Sequence, residues 1–252
     1  MKIILPIKIV YDDQDISATP GKPLDYSRAP MTLSTYDLNA AEVAVQLAGS
    51  VGESQVVAVS VGSPKVDDSK LKKSILARGV DELFMVADEA TQDLDANATA
   101  KELAKLIGKV GEYDLIATGD GSADLYGQQV SAQLAAELDL PFISGAVTVQ
   151  VAGNTLTATR ALETSQETLE VDLPAVISIS PDAALPRICG MKDILAAGKK
   201  PATVLAAESA SVSKLEVIQE LAPAQTDRKQ IVFDAATEGD LDSFISAIKT
   251  LV

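Results

Sequence analysis

Short apolar runs rich in β-branched residues alternate, along the first half of the chain, with segments of helical periodicity. The runs predict strands at IILPIKIV (3–10), VVAVSVG (56–62), ELFMVAD (82–88), DLIATGD (114–120) and AVISIS (175–180). Apolar residues between the first four runs recur at three- and four-residue steps and predict helices: Tyr36, Ala40, Val43, Ala44 and Leu47, then Leu71, Ile75 and Leu76, then Leu103, Leu106, Ile107 and Val110. Apolar strands that alternate with helices are typical of a parallel sheet buried on both sides. The predicted fold class is therefore α/β, with a parallel sheet covered by helices on both faces.

The second half of the chain carries different patterns. Residues 145–173 alternate and contain a Gly153-Asn154 pair suited to a tight turn, which predicts an antiparallel hairpin excursion from the main sheet. Proline and glycine interrupt residues 181–201 and leave room for one short helix. Beyond them, an Ala/Ser/Glu-rich stretch precedes a strand-like IVFDA (231–235) and a helical LDSFISAIKTL (241–251). We therefore predict an α/β domain over 1–200 and an extended C-terminal arm over 201–252.

Composition and charge narrow the classes of partner and compartment. The chain has 21 Lys and Arg against 36 Asp and Glu, and its net charge of −15 argues against nucleic acid as a partner. No apolar run approaches the roughly 18 residues that cross a bilayer, and the N-terminus lacks the cleavage site of a signal peptide. The single cysteine, Cys189, cannot form an internal disulfide. These features predict a cytoplasmic protein.

The chain contains no histidine, no tryptophan and only 4% aromatic residues. Without histidine it lacks the commonest general base and a common metal ligand, so we expect neither a hydrolytic triad nor a zinc site. Few aromatic side chains are available for stacking against a base. We therefore expect a bound cofactor, rather than side chains, to supply the chemistry.

The stretch LIATGDGSADLYGQQVSAQLAAELDLP (115–141) joins the fourth predicted strand to an amphipathic helix. Ligands of open parallel sheets bind at the carboxyl ends of the strands. Gly119, Gly121 and Gly127 can take positive φ values and let a ligand approach the backbone. Gln128, Gln129 and Ser131 lie close to the first turn of the following helix, where free amides and the helix dipole favour a phosphate.

Each of these features also has a purely structural interpretation. The glycines could form only a tight turn, with Ser122 or Asp124 capping the helix. The pair Lys199-Lys200 could reach an anionic partner or could cap a helix C-terminus. Met191 could be an exposed anchor for a partner protein or an ordinary buried methionine.

Seven segments, in order, resemble the small (β) subunit of electron transfer flavoproteins, most closely the Fix type. They are KIILPIKIV, LSTYDLNAAEVAVQL, VVAVSVG, LARGVDELFMV, TGDGSADLYGQQVSAQLAAELDLP, LEVDLPAVISIS and MKDILAAGKKP. The likeness covers nearly the whole length. It implies an α/β domain akin to the adenine nucleotide alpha-hydrolase-like fold, paired with a large (alpha) subunit that carries FAD.

The resemblance also implies a cofactor, a docking loop and a role for the arm. The cofactor is an adenine nucleotide, either AMP with a structural role or a second FAD in members that bifurcate electrons. Carried over position by position, its contacts are Pro6, Ser34, Val61, Gly119, Asp124, Gln128, Gln129, Val130 and Ser131. A docking loop for partner dehydrogenases falls on residues 185–200, with Met191 as its apolar anchor. The C-terminal arm would pack on the large subunit.

Three departures from the family pattern concern the nucleotide. Asp120-Gly-Ser-Ala123 stands where many relatives have Lys-Gln-Ala-Ile, so charge attraction for a diphosphate is weaker here. Ser34-Thr35-Tyr36 replaces Asn-Pro-Phe. Val130-Ser131 replaces Thr-Gly, which shifts or removes a hydroxyl contact.

The implied function is that of an electron carrier subunit. It would relay electrons between an acyl-CoA-type or other flavin dehydrogenase and the large-subunit FAD. In the bifurcating variant, the complex would oxidise NADH and divide the electrons between a high-potential acceptor and a low-potential one such as ferredoxin. The alternative from another class is an adenine-nucleotide-sensing module without redox chemistry, which would form a stable homodimer and bind no flavin.

Overall fold

The structure, a computed structural model, describes residues 1–224 and 230–250. It divides into two units. The larger unit comprises Met1–Ser17 and Asp25–Ile218, and the smaller unit comprises Ala18–Leu24 together with the described residues of Gln219–Val252. Among the described residues, no helix combines the length and apolar character required to cross a membrane.

All eleven strands of the described residues, and five of their six α-helices, lie in the larger unit. The strands are β1 (Lys2–Pro6), β2 (Ile9–Tyr11), β3 (Met31–Leu33), β4 (Gln55–Gly62), β5 (Glu82–Ala87), β6 (Leu115–Gly119), β7 (Phe142–Ala152), β8 (Thr155–Ala161), β9 (Gln166–Asp172), β10 (Ala175–Ile179) and β11 (Ala202–Leu205). The helices are α1 (Thr35–Val51), α2 (Ser69–Leu76), α3 (Ala96–Val110), α4 (Val130–Glu137) and α5 (Met191–Ala197).

Nine strands form one sheet in the order β11-β5-β4-β1-β6-β10-β7-β8-β9. The first seven in this order pair in parallel, and β7, β8 and β9 continue the sheet as an antiparallel meander. All five residues of β6 and of β10 are buried, as expected for central strands covered on both faces. The predicted α/β class is confirmed.

Two apolar layers cover the sheet. Alternate residues of the central strands pack against α1, α2 and Ala197 of α5 on one face, and the remaining residues pack against α3 and α4 on the other. The side-chain alternation of a strand explains the division: Ile3 and Leu5 of β1 belong to the first layer and Ile4 to the second. Helices on both faces are thus required by the apolar residues on both faces of the strands.

The structure differs from the sequence-based prediction at several elements. The first run splits at Ile7-Lys8, and β2 pairs antiparallel with β3 in a separate two-stranded sheet. The antiparallel excursion starts near Ala146, close to the predicted start at residue 145, but its first strand also extends the main sheet, because β7 begins at Phe142 and pairs in parallel with β10. The edge strand β11 was not predicted, whereas IVFDA (231–235) is not a strand.

The smaller unit contains one helix, α6 (Asp240–Lys249), in the part of it that is described. Leu251, the last residue of the predicted helix, lies outside the described residues. The rings of Phe233 and Phe244 meet edge to face, with centroids 5.6 Å apart. Ala222 is tied to residues 21 and 22 by two backbone hydrogen bonds of 3.0 and 2.9 Å.

Candidate functional site

The candidate site lies where the chain changes direction across the sheet. From β1 the chain proceeds through α1 to β4 on one side of β1, whereas β6 occupies the other side and leads through α4 to β7. Such a switch point opens a crevice at the carboxyl ends of the strands, where ligands of this fold class bind. Pro6 ends β1, Gly119 ends β6, and Val61 is the penultimate residue of β4.

The entrance of α1 meets the same edge of the sheet. Ser34 precedes the helix and is fully buried. Its backbone N–H donates to the Lys8 carbonyl at 3.0 Å, and its Oγ accepts from the Ala123 N–H at 3.3 Å. The structure therefore brings Ser34 together with the loop that follows β6; the family resemblance names residues of both as nucleotide contacts.

Asp37, which sequence analysis missed, joins the ends of β1 and β6. Its Oδ2 accepts from the Lys8 N–H at 2.7 Å, and its carboxylate also accepts from the Gly119 N–H. Burial raises the pKa of Asp37 to about 7, against the opposing effect of these two amides and of the Lys8 ammonium group. A signal was present in the sequence, since Asp37 lies three and four residues before Ala40 and Ala41 on the buried stripe of α1.

Gly119 is required by close packing rather than by its φ angle. A Cβ at this position would collide with Oδ1 of Asp37 and would lie 3.0 Å from the Asp37 backbone nitrogen. The expectation of positive φ was wrong for Gly119, Gly121 and Gly127, whereas Tyr126 and Gln128 take φ values of 45° and 52°. Non-glycine residues adopt this region only where surrounding contacts hold them there.

Asp120 organises the loop between β6 and α4. Its carboxylate accepts from the Tyr126 hydroxyl at 2.8 Å and from Nε2 of Gln128 at 2.9 Å. The Tyr126 ring also packs on Tyr36, with centroids 4.8 Å apart. The hydrogen bond to Asp120, together with its negative charge, raises the pKa of Tyr126 to about 12. These contacts account for the left-handed backbone at two positions of an otherwise exposed loop.

Asp124 is paired with Lys8 and does not cap a helix. The Lys8 ammonium group lies 2.6 and 2.8 Å from its two carboxylate oxygens, and the Ser122 hydroxyl and the Leu125 N–H also donate to it. Burial opposes ionisation of Asp124, but the hydrogen bonds from Lys8 and Ser122 hold its pKa below the usual value. Capping of α4 by Ser122 or Asp124 is therefore wrong.

The N-terminus of α4 carries no side-chain cap. Gln129 occupies the cap position without a side-chain hydrogen bond to the first turn. The Ser131 hydroxyl points inward, 2.7 Å from Oγ1 of Thr118, and Val130 packs on the apolar layer formed with α3. The amides of a first turn have no partner within their own helix, so this end of α4 presents donors and a positive dipole end.

The segment at residues 185–200, which we call the docking segment, exposes apolar side chains. The exposed fractions are 88% for Leu185, 98% for Ile188, 72% for Met191 and 67% for Leu195. The interpretation of Met191 as a buried methionine is therefore wrong. Such a group of exposed apolar residues is typical of a surface that binds another protein.

Residues of α1 hold the chain leading into the docking segment. Nδ2 of Asn39 donates to the carbonyls of Pro181 at 3.1 Å and Ala184 at 2.7 Å. Glu42 forms a two-pronged ion pair with Arg187, at 2.7 and 3.1 Å, and also accepts from the Arg187 N–H. The hydrogen bonds from Arg187 lower the pKa of Glu42, which keeps the pair ionised.

Lys200 has a structural role that resolves one of the open alternatives. Its ammonium group donates to the carbonyls of Leu76 at 3.0 Å and Val80 at 2.6 Å, just where α2 ends. Lys200 therefore satisfies carbonyls at a helix C-terminus, although the helix is α2 and not α5, which immediately precedes it in sequence.

The observed features first define a class of protein. It is an α/β domain whose parallel sheet is covered by helices on both faces, and hydrogen-bond donors lie at the switch point of that sheet. The family model described as "Electron transfer flavoprotein domain" matches residues 24–210, which is more than half of the chain. The chain belongs to the electron transfer flavoprotein family. The match includes α1, the loop at 120–129 and the docking segment, while β1 and Lys8 precede it.

Proposed function

We propose that this chain is the small subunit of a heterodimeric electron transfer flavoprotein and binds an adenine nucleotide, FAD or AMP, at the carboxyl edge of its sheet. The observation that carries the proposal is the uncapped N-terminus of α4 at the switch point, inside the region matched by the family model. Helix N-termini in this position commonly bind phosphate.

The chemistry of the donors fits a nucleotide. The backbone N–H groups of Val130 and Ser131 lie at the start of α4, where the helix dipole is positive and favours a phosphate. The side-chain amides of Gln128 and Gln129 would add further neutral donors to the phosphate. The Ser131 hydroxyl is already bonded to Thr118, so Ser131 would contribute through its backbone.

The remaining proposed contacts divide into apolar and structural ones. Pro6 and Val61 supply apolar surface at the ends of β1 and β4, suited to the faces of an adenine ring. Ser34, Gly119 and Asp124 fix the loop around the nucleotide, through the contacts to Ala123, Asp37 and Lys8.

A bound FAD would supply the one- and two-electron chemistry. This chain's residues would bind the nucleotide, orient it and limit access of water to it. In such a complex, the chain acts as an electron carrier subunit between an acyl-CoA-type or other flavin dehydrogenase and the FAD of the large subunit. With FAD bound here as well, the complex would bifurcate electrons from NADH, with ferredoxin as one acceptor.

The exposed apolar surfaces support this assignment to a complex. The docking segment, with Met191 at its centre, would contact the dehydrogenase. The arm over 201–252 would pack on the large subunit, and its described part exposes apolar side chains at Ile231, Val232, Leu241, Phe244, Ile245 and Ile248. We assign the complex to the cytoplasm.

Cofactor content tests the proposal. The chain should be co-expressed with a large electron transfer flavoprotein subunit, and the purified complex denatured to release its nucleotides for chromatography. About two flavins per heterodimer support a bifurcating carrier, and one flavin plus one AMP supports a carrier with structural AMP. A stable homodimer that carries ATP or AMP and recruits no flavoprotein subunit would overturn the proposal in favour of a nucleotide sensor.

A further inference from the structure

Asp120 occupies hydrogen-bond donors that the proposed phosphate site would need. One N–H of the Gln128 amide donates to Oδ1 of Asp120 at 2.9 Å, and the same nitrogen lies 3.4 Å from the Tyr126 hydroxyl. That hydroxyl in turn donates to Oδ2 of Asp120 at 2.8 Å. The carboxylate, the phenol and the amide thus form a closed ring of hydrogen bonds, in which the donor capacity of Gln128 is directed into the loop itself.

Within residues 1–224 and 230–250, no cationic side chain forms an ion pair with Asp120. The other carboxylate of the loop, Asp124, forms an ion pair with Lys8 at 2.6 Å. Asp120 itself is only half-buried beside the start of α4. A phosphate that approaches the α4 N-terminus therefore meets the negative charge of Asp120 as well as occupied donors.

The same ring of hydrogen bonds holds the loop in its unusual backbone conformation. Tyr126 and Gln128, the two donors to Asp120, are also the two residues of the loop with positive φ values. Packing of Tyr126 on Tyr36 fixes the phenol from the other side. The Asp120 carboxylate therefore holds the backbone of the loop in this conformation. It accepts hydrogen bonds at the place where, under the proposed function, a nucleotide phosphate would accept them.

We propose that Asp120 is an internal stand-in for phosphate: its carboxylate competes with the nucleotide for the Gln128 side-chain donor and repels the phosphate charge, and it thereby sets how tightly this loop binds phosphorylated ligands. Asp120 is a specificity-determining residue in this sense, and it contributes no chemistry to electron transfer. The inference rests on the proposed function, because it concerns the same nucleotide site. It predicts that removal of the carboxylate charge strengthens binding of a phosphate while leaving the rest of the nucleotide unaffected.

Isothermal titration of the full chain, stripped of bound nucleotide with charcoal, tests the inference with two probes. AMP carries the phosphate, and adenosine is the same molecule without it. In Asp120→Asn we expect the Kd for AMP to fall about fivefold to tenfold, because a like charge and a competing acceptor are both weakened. The Kd for adenosine should stay within about twofold of the wild-type value, since adenosine has no charge for Asp120 to repel.

Two further variants keep the outcome interpretable. Asp172→Asn removes an equal charge from an exposed position on β9, and it should leave the Kd for AMP unchanged. Asp120→Ser also removes the carboxylate charge, but with a different side chain, and so controls for disturbance of the loop by asparagine. It should also lower the Kd for AMP. Thermal melting of each variant confirms that it is folded before titration.

The possible failures are distinguishable. AMP affinity that is unchanged or weaker in both folded Asp120 variants would overturn the inference, and so would an equal gain for adenosine or for Asp172→Asn. If the wild type and all variants bind neither AMP nor adenosine, the proposed nucleotide function itself fails, and the inference fails with it. If only the Asp120 variants bind AMP measurably, the inference is supported in its strongest form.

Discussion

Replacement of Asp37 by asparagine should remove a specific pH dependence from the stability of this protein. The Asp37 carboxylate is 6% exposed, and burial raises its pKa from 3.8 to about 7. Between these two values the unfolded chain has lost the proton and the folded chain still holds it. The free energy of unfolding contributed by Asp37 is therefore full below pH 3.8 and is lost as the pH rises through 7.

The magnitude follows from the pKa difference. The interval from 3.8 to about 7 spans roughly three units, and each unit corresponds to about 1.36 kcal/mol, so Asp37 accounts for at most about 4 kcal/mol of pH-dependent stability. Asparagine cannot titrate. Its oxygen can still accept from the Lys8 N–H, while its amide N–H groups face the Gly119 N–H, which adds a loss of about 1–3 kcal/mol that is independent of pH.

Urea denaturation of both proteins at half-unit steps from pH 4.5 to 8.5 measures the effect. The difference between wild type and Asp37→Asn isolates Asp37, because the other titrating groups contribute equally to both proteins. We expect the gap in free energy of unfolding, wild type minus Asp37→Asn, to fall by about 3 kcal/mol between pH 4.5 and pH 8, which leaves wild type the less stable protein at the higher pH. A gap that stays constant within about 0.5 kcal/mol across this range would refute the reasoning.

Two further substitutions test the close packing at Gly119 and the support of the docking segment. Gly119→Ala forces a Cβ against Asp37, so it should lower the free energy of unfolding by about 1–3 kcal/mol and reduce nucleotide content, whereas Gly127→Ala, with no atom within 4 Å of the added Cβ, should change stability by less than about 0.5 kcal/mol. Glu42→Gln weakens the ion pair to Arg187 and should speed amide hydrogen exchange at residues 183–190 roughly fivefold, which corresponds to about 1 kcal/mol. Exchange unchanged in that segment, or equally faster after Glu137→Gln on α4, would contradict the assigned role of Glu42.

The parallel sheet could be predicted because its central strands are apolar on both faces. Each of the first four predicted strands is followed by a segment of helical periodicity, so the prediction of the fold class depends on several independent patterns. The edge strand β11 was missed because its four residues alternate between exposed and half-buried positions inside a polar stretch. Conversely, IVFDA (231–235) has a strand-like composition but pairs with no strand among the described residues, and composition alone does not supply a partner strand.

The sequence indicated which segments form the candidate site, but it did not indicate the hydrogen bonds and close contacts between them. Gly119 was selected for a conformational freedom that it does not use, and its actual role depends on Asp37, whose proximity arises only when α1 packs against β6. The hydrogen bonds around Asp120 could not be predicted from sequence either. They require left-handed backbone at Tyr126 and Gln128, residues for which this conformation is uncommon and set by tertiary contacts.

Helix α1 serves two surfaces within a short length of chain. Asp37 joins the strand ends at the carboxyl edge of the sheet, and Asn39 and Glu42 hold residues 181–187, where the docking segment begins. Glu42 lies five positions after Asp37, a rise of about 7.5 Å along the helix axis. One rigid helix therefore fixes both surfaces relative to each other, so a shift of α1 would alter the proposed nucleotide site and the proposed partner surface together.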